Sequence, residues 1–96
     1  MKRILCVLLL LLLLSGCSAR QPKPLPDGKL AVHFIDVGQG DCTLIVSQNK
    51  TMLIDSGEAE YADTVLETFS DLGIVYLDYA VVSHAHSDHM GSMAEI

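Results

Sequence analysis

The sequence predicts an α/β fold, and three observations support this class. Short β-prone segments at residues 30–35, 42–46 and 51–54 are separated by glycine-containing or polar turns. The segment that follows them carries apolar residues at helical spacing. An apolar run at residues 79–83 then predicts a fourth strand. Strands, a helix and a further strand therefore follow one another in this order.

The three short segments are expected to pair as an antiparallel meander. Gly38 and Gly40 mark a tight loop after the first segment, and residues 48–50 form a turn after the second. Residues 55–57, Asp-Ser-Gly, end the third. Connections this short join antiparallel neighbours, because parallel neighbours need a long crossover.

The helical segment is expected to bury one apolar face. The residues at helical spacing are Ala62, Val65, Leu66, Phe69 and Leu72. Acidic residues cluster near its N-terminal end, where the helix dipole favours negative charge, and Gly73 follows its last turn. The next strand, at residues 79–83, is apolar almost throughout, so we expect it to be buried and to lead straight into His84.

The N-terminus is predicted to be a lipoprotein signal peptide at residues 1–16. Lys2 and Arg3 precede an apolar run at residues 4–14, which is too short for a bilayer that needs about 20 helical residues. The small residues before Cys17 resemble the lipobox of bacterial lipoproteins, whose cysteine is lipidated after cleavage. An ordinary signal peptide and an uncleaved anchor are the alternatives.

A lipidated Cys17 would hold the protein on the extracytoplasmic face of the cell membrane. Residues 17–29 contain three alternating prolines and predict a semi-rigid linker, so residues 30–96 would form the folded part. The membrane is then the first predicted partner, and the sequence identifies no protein partner.

Charge argues against one kind of protein, and cysteine content argues against two others. The part after the signal peptide has four basic residues against twelve acidic ones, a formal charge of −8, which argues against a basic nucleic-acid-binding module. Three cysteines without close spacing provide neither a disulfide framework nor a zinc knuckle. Cys42 is expected to be a small buried hydrophobic residue and His33 a packed strand residue.

The residues after the fourth strand predict a metal centre. His84, His86, Asp88 and His89 bring three imidazoles and a carboxylate into six residues. At a strand end, His84 and His86 would point to one side and could bind one ion at ~2.0–2.1 Å. Asp88 and His89 could face a second ion. Imidazole with carboxylate suits zinc, and also manganese or iron.

Three motifs resemble those of the metallo-β-lactamase fold superfamily. They are His84-x-His86-x-Asp88-His89-x-Gly91, Leu53-Ile54-Asp55-Ser56-Gly57 and Phe34-Ile35-Asp36-Val37-Gly38-Gln39-Gly40-Asp41. The last is similar, more narrowly, to the C-terminal domain of ComEC-type competence DNA-uptake proteins. The resemblance implies a four-layer αββα sandwich, of which this chain would hold only the N-terminal part, and one or two zinc ions, with manganese as an alternative.

The resemblance also implies a role for each matching residue. His84 and His86 would bind the first metal, and Asp88 and His89 the second, with Asp88 as the catalytic general base. Asp55 would support the metal loop, although a plain strand-ending turn is an equal alternative. Two further acids, Asp36 and Asp41, flank a loop near the same sheet edge. A plain tight turn with acidic flanks is expected there, and help in positioning the substrate or the metal loop is the alternative.

Members of this superfamily carry further ligands later in the chain, so the sequence is expected to be the first part of a longer domain and inactive by itself. The predicted function of the complete protein is metal-dependent hydrolysis of a phosphodiester, most simply nucleic acid, through a metal-activated hydroxide. A β-lactamase-like ester or amide hydrolase is one alternative. A lipoprotein that binds metal or a partner without catalysis is another.

Overall fold

The computed structural model describes residues 28–48 and 50–96. The predicted signal peptide and most of the predicted linker lie outside these residues. The strands are β1 (Leu30–Phe34), β2 (Thr43–Ser47), β3 (Lys50–Ile54) and β4 (Tyr79–Val81), and the helices are α1 (Ala62–Leu72) and the short α2 (Ser87–Met90). Within the described ranges, no helix is long and apolar enough to cross a membrane.

The four strands form one sheet in the order β1-β2-β3-β4. The predicted meander is confirmed, because β1 pairs antiparallel with β2 and β2 antiparallel with β3. The fourth strand lies parallel to β3, and the connection between them contains α1. The C-terminal ends of β3 and β4 therefore meet at the same edge of the sheet.

Helix α1 has the boundaries that its spacing predicts. A single turn of 3-10 helix at Ala59–Tyr61 leads into it. Gly73 ends it in a left-handed conformation with φ of 70°, and its N–H donates to the carbonyls of Phe69 and Ser70. A left-handed residue at this position is the common way to end a helix, and glycine adopts it without steric cost.

The hydrophobic core lies between α1 and one face of the sheet. Leu44 of β2, Leu53 of β3 and Val65 of α1 are fully buried. The cluster consists of Val37, Cys42, Leu44, Leu53, Val65, Phe69 and Ile74. Of the predicted apolar helix face, Leu66 is instead exposed, because it lies at the margin of this contact.

The opposite face of the sheet is apolar and open to solvent within the described residues. Leu30, Val32 and Phe34 alternate along β1 and are all exposed, Phe34 by 83%. The strand register continues this apolar surface across the sheet, since Val32 lies opposite Ile45 of β2. Such an exposed apolar surface is typical of a face that another layer covers.

Two expectations about residues 79–83 were wrong for the described part of the chain. The fourth strand is exposed rather than buried, with Tyr79 56% and Val81 42% exposed. It is the last strand on its side of the sheet, and within residues 28–48 and 50–96 no layer covers its outer face. It also ends at Val81, so a short bend separates it from His84.

Candidate metal centre

Residues from the ends of two neighbouring strands build the site. Asp55 follows β3 directly, and Ser83 and His84 follow β4. The Asp55 N–H donates to the Val81 carbonyl over 2.8 Å, which extends the parallel pairing by one step. The 28 residues that separate Asp55 from Ser83 in sequence are therefore bridged at one edge of the sheet.

The Asp55 carboxylate is the centre of a hydrogen-bond network. The side chain is 3% exposed. Its Oδ1 accepts from the Ser83 N–H at 2.7 Å, and its Oδ2 accepts from the Ser83 hydroxyl at 2.6 Å. Nδ1 of His89 lies 2.9 Å from the same Oδ2. Asp55 itself has φ of 58°, an uncommon conformation for a residue other than glycine, which aims the carboxylate at the loop after β4.

These contacts determine which nitrogen of each histidine carries the proton. An ionised carboxylate only accepts, so His89 must donate from Nδ1, and in the neutral ring this leaves Nε2 with a lone pair. The Ser83 hydroxyl donates to Asp55 and therefore accepts from Nδ1 of His84, 3.0 Å away. His84 is left with a free Nε2 as well. Asp55 thus orients two imidazoles, one directly and one through Ser83.

Three histidine rings and one carboxylate lie next to each other beyond this network. The ring centroids of His84 and His86 are 4.6 Å apart, and those of His84 and His89 are 4.0 Å apart. Oδ2 of Asp88 lies 3.5 Å from Nε2 of His89. His84 and His86 are exposed, whereas Asp88 and His89 are half-buried. The bend after β4 and the first turn of α2 therefore place these side chains next to one another. Among the described residues, however, the three donor atoms that lie within 4.8 Å of one another belong to Asp41, Asp55 and His89, so His84, His86 and Asp88 do not converge with His89 on one point.

The pKa values follow from the same contacts. Burial alone would raise the pKa of the Asp55 carboxyl, but hydrogen bonds from Ser83 and His89 outweigh it and lower the pKa below its ordinary value. The hydrogen bond to Asp55 raises the pKa of His89. Both directions favour the pair of an Asp55 carboxylate and a protonated His89 that donates from Nδ1; in that cation Nε2 also carries a proton, which a metal ion would have to displace.

Asp41, for which a plain turn role was preferred over a role near the metal loop, lies beside the site. Within the described ranges, a set of three donor atoms from Asp41, Asp55 and His89 lies within 4.8 Å and is a candidate metal site. Nδ1 of His89 donates its proton to Asp55, so we interpret the set as support for His89. The predicted tight turn is present, since Asp36 accepts from the Gly38 N–H over 3.1 Å.

An open groove of about 800 Å³ lies next to Asp88, one of its lining residues. Glu58, Glu60 and Tyr61 line it with Gln39, and Glu58 accepts a hydrogen bond from the Ser87 hydroxyl at 3.0 Å. The lining is acidic, so an anionic substrate would be repelled unless a bound cation offset this charge.

A family model described as Metallo-beta-lactamase superfamily matches residues 35–96. The chain belongs to this superfamily, and its four-stranded sheet and helices agree with part of the metallo-β-lactamase fold. The predicted α/β class and the predicted resemblance are thereby confirmed. Members of the superfamily usually bind metal ions and are typically hydrolytic.

Two curated proteins are similar to the chain. The chain is 34% identical over 86 residues to Competence protein ComA of Neisseria gonorrhoeae, a match that covers 88% of this chain and 12% of ComA. It is 27% identical over 86 residues to Endoribonuclease ysh-1 of Neurospora crassa, covering 82% of this chain and 10% of that protein. The chain therefore spans about a tenth of the length of these relatives. No solved structure matches the chain significantly.

A second family model, the prokaryotic membrane lipoprotein lipid attachment site, matches residues 1–18. This match confirms the predicted lipoprotein signal and indicates a membrane-anchored bacterial protein. The boundaries at residues 16 and 29 stay predictions.

Proposed function

We propose that the chain supplies metal ligands and a general base to a hydrolase that cleaves phosphodiester bonds, and that lipidated Cys17 anchors it to the extracytoplasmic face of the membrane. The network around Asp55 is the observation that carries this proposal. It holds His84 and His89 in the tautomers that leave Nε2 free. A merely structural loop has no need of two imidazoles prepared in this way.

The donor atoms fit a divalent cation. Imidazole and carboxylate together suit zinc, with manganese as the alternative. His84 and His86 would hold one ion, and Asp88 and His89 would hold a second. When bound, such an ion lowers the pKa of water towards ~7 and so supplies a nucleophile near neutral pH.

Residues of the chain would accept a proton, orient the imidazoles and contact the substrate. Asp88 lines the groove and lies beside Nε2 of His89, so its carboxylate can accept a proton from a water molecule that enters there. Asp55 and Ser83 keep the imidazoles oriented while the substrate binds. Tyr61 and Gln39, on the groove wall, are available to contact the substrate.

Nucleic acid is the proposed substrate class. The similarity to a competence protein and to an endoribonuclease supports it. The acidic groove makes binding of a polyanion depend on the cation, which neutralises the site locally. We therefore expect both binding and cleavage to require metal. The domain would begin at residue 30, after a signal peptide at 1–16 and a linker at 17–29.

The test is a His86→Ala variant of the native protein, extracted from the membranes of the producing cell. After chelation and reloading with Zn²⁺ or Mn²⁺, the wild type should cleave bis(p-nitrophenyl) phosphate and labelled single-stranded DNA. The variant should lose at least about 100-fold in kcat/KM, roughly 2.7 kcal/mol of transition-state stabilisation.

The matched control is His33→Ala, which removes an imidazole from β1, outside the metal loop. It should retain activity. Full activity of the His86→Ala variant, or activity that survives chelation, would contradict the proposal. Tight zinc binding by the wild type with no cleavage of any phosphodiester would instead favour a metal-binding lipoprotein.

A further inference from the structure

We propose that the Gly38–Asp41 loop is a brace that positions Asp88 and His89, with Gly40 and Asp41 as its two contact residues. The inference rests on the proposed function, because it assigns the loop a role in holding ligands of the second metal. It gives this glycine motif a task beyond making a tight turn.

Gly40 lets the loop approach the backbone of α2. Its φ of 139° lies in a region that side chains rarely adopt. A methyl group built at this position would overlap the backbone oxygen of Asp88, and it would also contact the Asp88 carbonyl carbon at 3.2 Å and Cβ at 3.4 Å. The overlap is with backbone, which cannot swing away as a flexible side chain can. Any larger residue at position 40 must therefore displace Asp88.

Asp41 joins the loop to both sides of the site. Its N–H donates to the Asp88 carbonyl at 3.3 Å, and its own carbonyl accepts from the Gly57 N–H at 3.0 Å. Its carboxylate Oδ2 lies 3.6 Å from Nδ1 of His89, on the side of the ring that Asp55 also contacts. One residue thus contacts the end of β3, the backbone of α2 and a ligand imidazole.

The residues at the start of the loop have contacts of their own, which differ from those that Gly40 and Asp41 make with the metal loop. Asp36 closes the turn through the Gly38 N–H. Gly38, with φ of 64°, faces the Tyr61 hydroxyl, the mobile end of a side chain. The first half of the motif therefore shapes the turn, and the second half contacts the metal loop.

The first test compares Gly40→Ala with Gly28→Ala. Both glycines have positive φ, but a methyl group at Gly28 would meet no atom within 4 Å. Without metal, Gly40→Ala should abolish protection of the Asp41 amide from hydrogen exchange and shift the ring ¹⁵N signals of His89 in NMR spectra. With Zn²⁺ as the probe, its dissociation constant should rise about 10–100-fold, the usual effect of losing a residue that orients a ligand. Gly28→Ala should change neither quantity.

The second test keeps the backbone contacts and so remains informative if Gly40→Ala fails to fold. Asp41→Asn removes the charge beside His89, and Asp36→Asn removes a charge from the same loop while retaining an oxygen acceptor for Gly38. Asp41→Asn should shift the His89 ring signals and raise the zinc dissociation constant several-fold at an unchanged melting temperature, and Asp41→Glu should restore part of the loss. Asp36→Asn should match the wild type.

Different experimental outcomes would contradict the brace and the proposed function. If the wild type binds zinc and cleaves phosphodiesters while Gly40→Ala and Asp41→Asn behave like their controls, the brace is wrong and the function stands. If the wild type binds no zinc, the function is wrong, and the metal-free NMR comparison still decides the brace. Unchanged His89 signals and Asp41 protection in both variants would overturn it.

Discussion

Ser83 is the residue through which Asp55 reaches a second imidazole. Its hydroxyl donates to Asp55 and accepts from His84, and its N–H donates to the other carboxylate oxygen. Nothing in the sequence around Ser83 indicates this role, because its partner lies 28 residues earlier. The contact exists only once β3 and β4 are side by side.

We therefore expect Ser83→Ala to weaken zinc binding about 10–100-fold, since His84 loses the group that holds its tautomer. A competition titration with a chromogenic chelator would measure the change. Ser56→Ala is the matched control, because the Ser56 hydroxyl is buried with no hydrogen-bond partner among the described residues. Its removal should be neutral or slightly stabilising. Equal zinc affinities for the two variants would show that the hydroxyl of Ser83 does not orient His84.

An ion pair connects the start of β3 to the segment that leads into β4. Nζ of Lys50 lies 2.5 Å from Oδ1 of Asp78, and the Thr51 N–H donates to Oδ2 at 2.8 Å. The hydrogen bond from Lys50, aided by that from Thr51, lowers the pKa of Asp78. These contacts fix the parallel register of the two strands at its first residue pairs.

This pair predicts how stability changes with pH. The pKa of Asp78 is lower in the folded state than its unfolded value of about 3.9, so its ionised form stabilises the fold above that pH. The contribution is lost as pH falls through the folded-state pKa. Asp78→Asn should therefore lower the free energy of unfolding at neutral pH, and the difference from wild type should shrink in acid.

Urea unfolding between about pH 2 and pH 7 would measure this difference. Glu67→Gln, which removes an exposed charge from α1, is the control and should change stability little at any pH. A difference between Asp78→Asn and wild type that stays constant across this range would contradict the assignment.

The N-terminal lipoprotein signal predicts that the protein is attached to the membrane. Cys17→Ser should abolish lipidation and remove the protein from the membrane fraction, because one lipidated residue provides the anchor. Intact-mass measurement of the native protein would detect the lipid. Cys6→Ser, inside the predicted signal peptide, should leave lipidation unchanged. Membrane retention and an unmodified mass in both variants would indicate an uncleaved anchor instead.

The local patterns of the chain predicted most of the fold. Alternating strands, short turns and helical spacing are properties of neighbouring residues, so the meander and α1 were found, and the buried position of Cys42 is confirmed at 4% exposure. The exposure of β4 was missed, because an apolar run indicates that a strand can be buried and not which layer covers it. Ser83 was missed, and the turn role was preferred for Asp41, for a related reason, since the partners of both residues are distant in sequence.

The parallel pairing of β3 with β4 has a consequence for the order of folding. The meander forms from local contacts, whereas the β3–β4 pairing must wait until the whole α1 crossover has closed. Asp55 meets Ser83 and His89 only at that step, so this part of the proposed metal site forms late on the folding pathway. An ion that binds the finished site pulls the equilibrium toward chains whose crossover is closed. If the proposed function holds, metal supply would then govern how much of the protein persists against proteolysis.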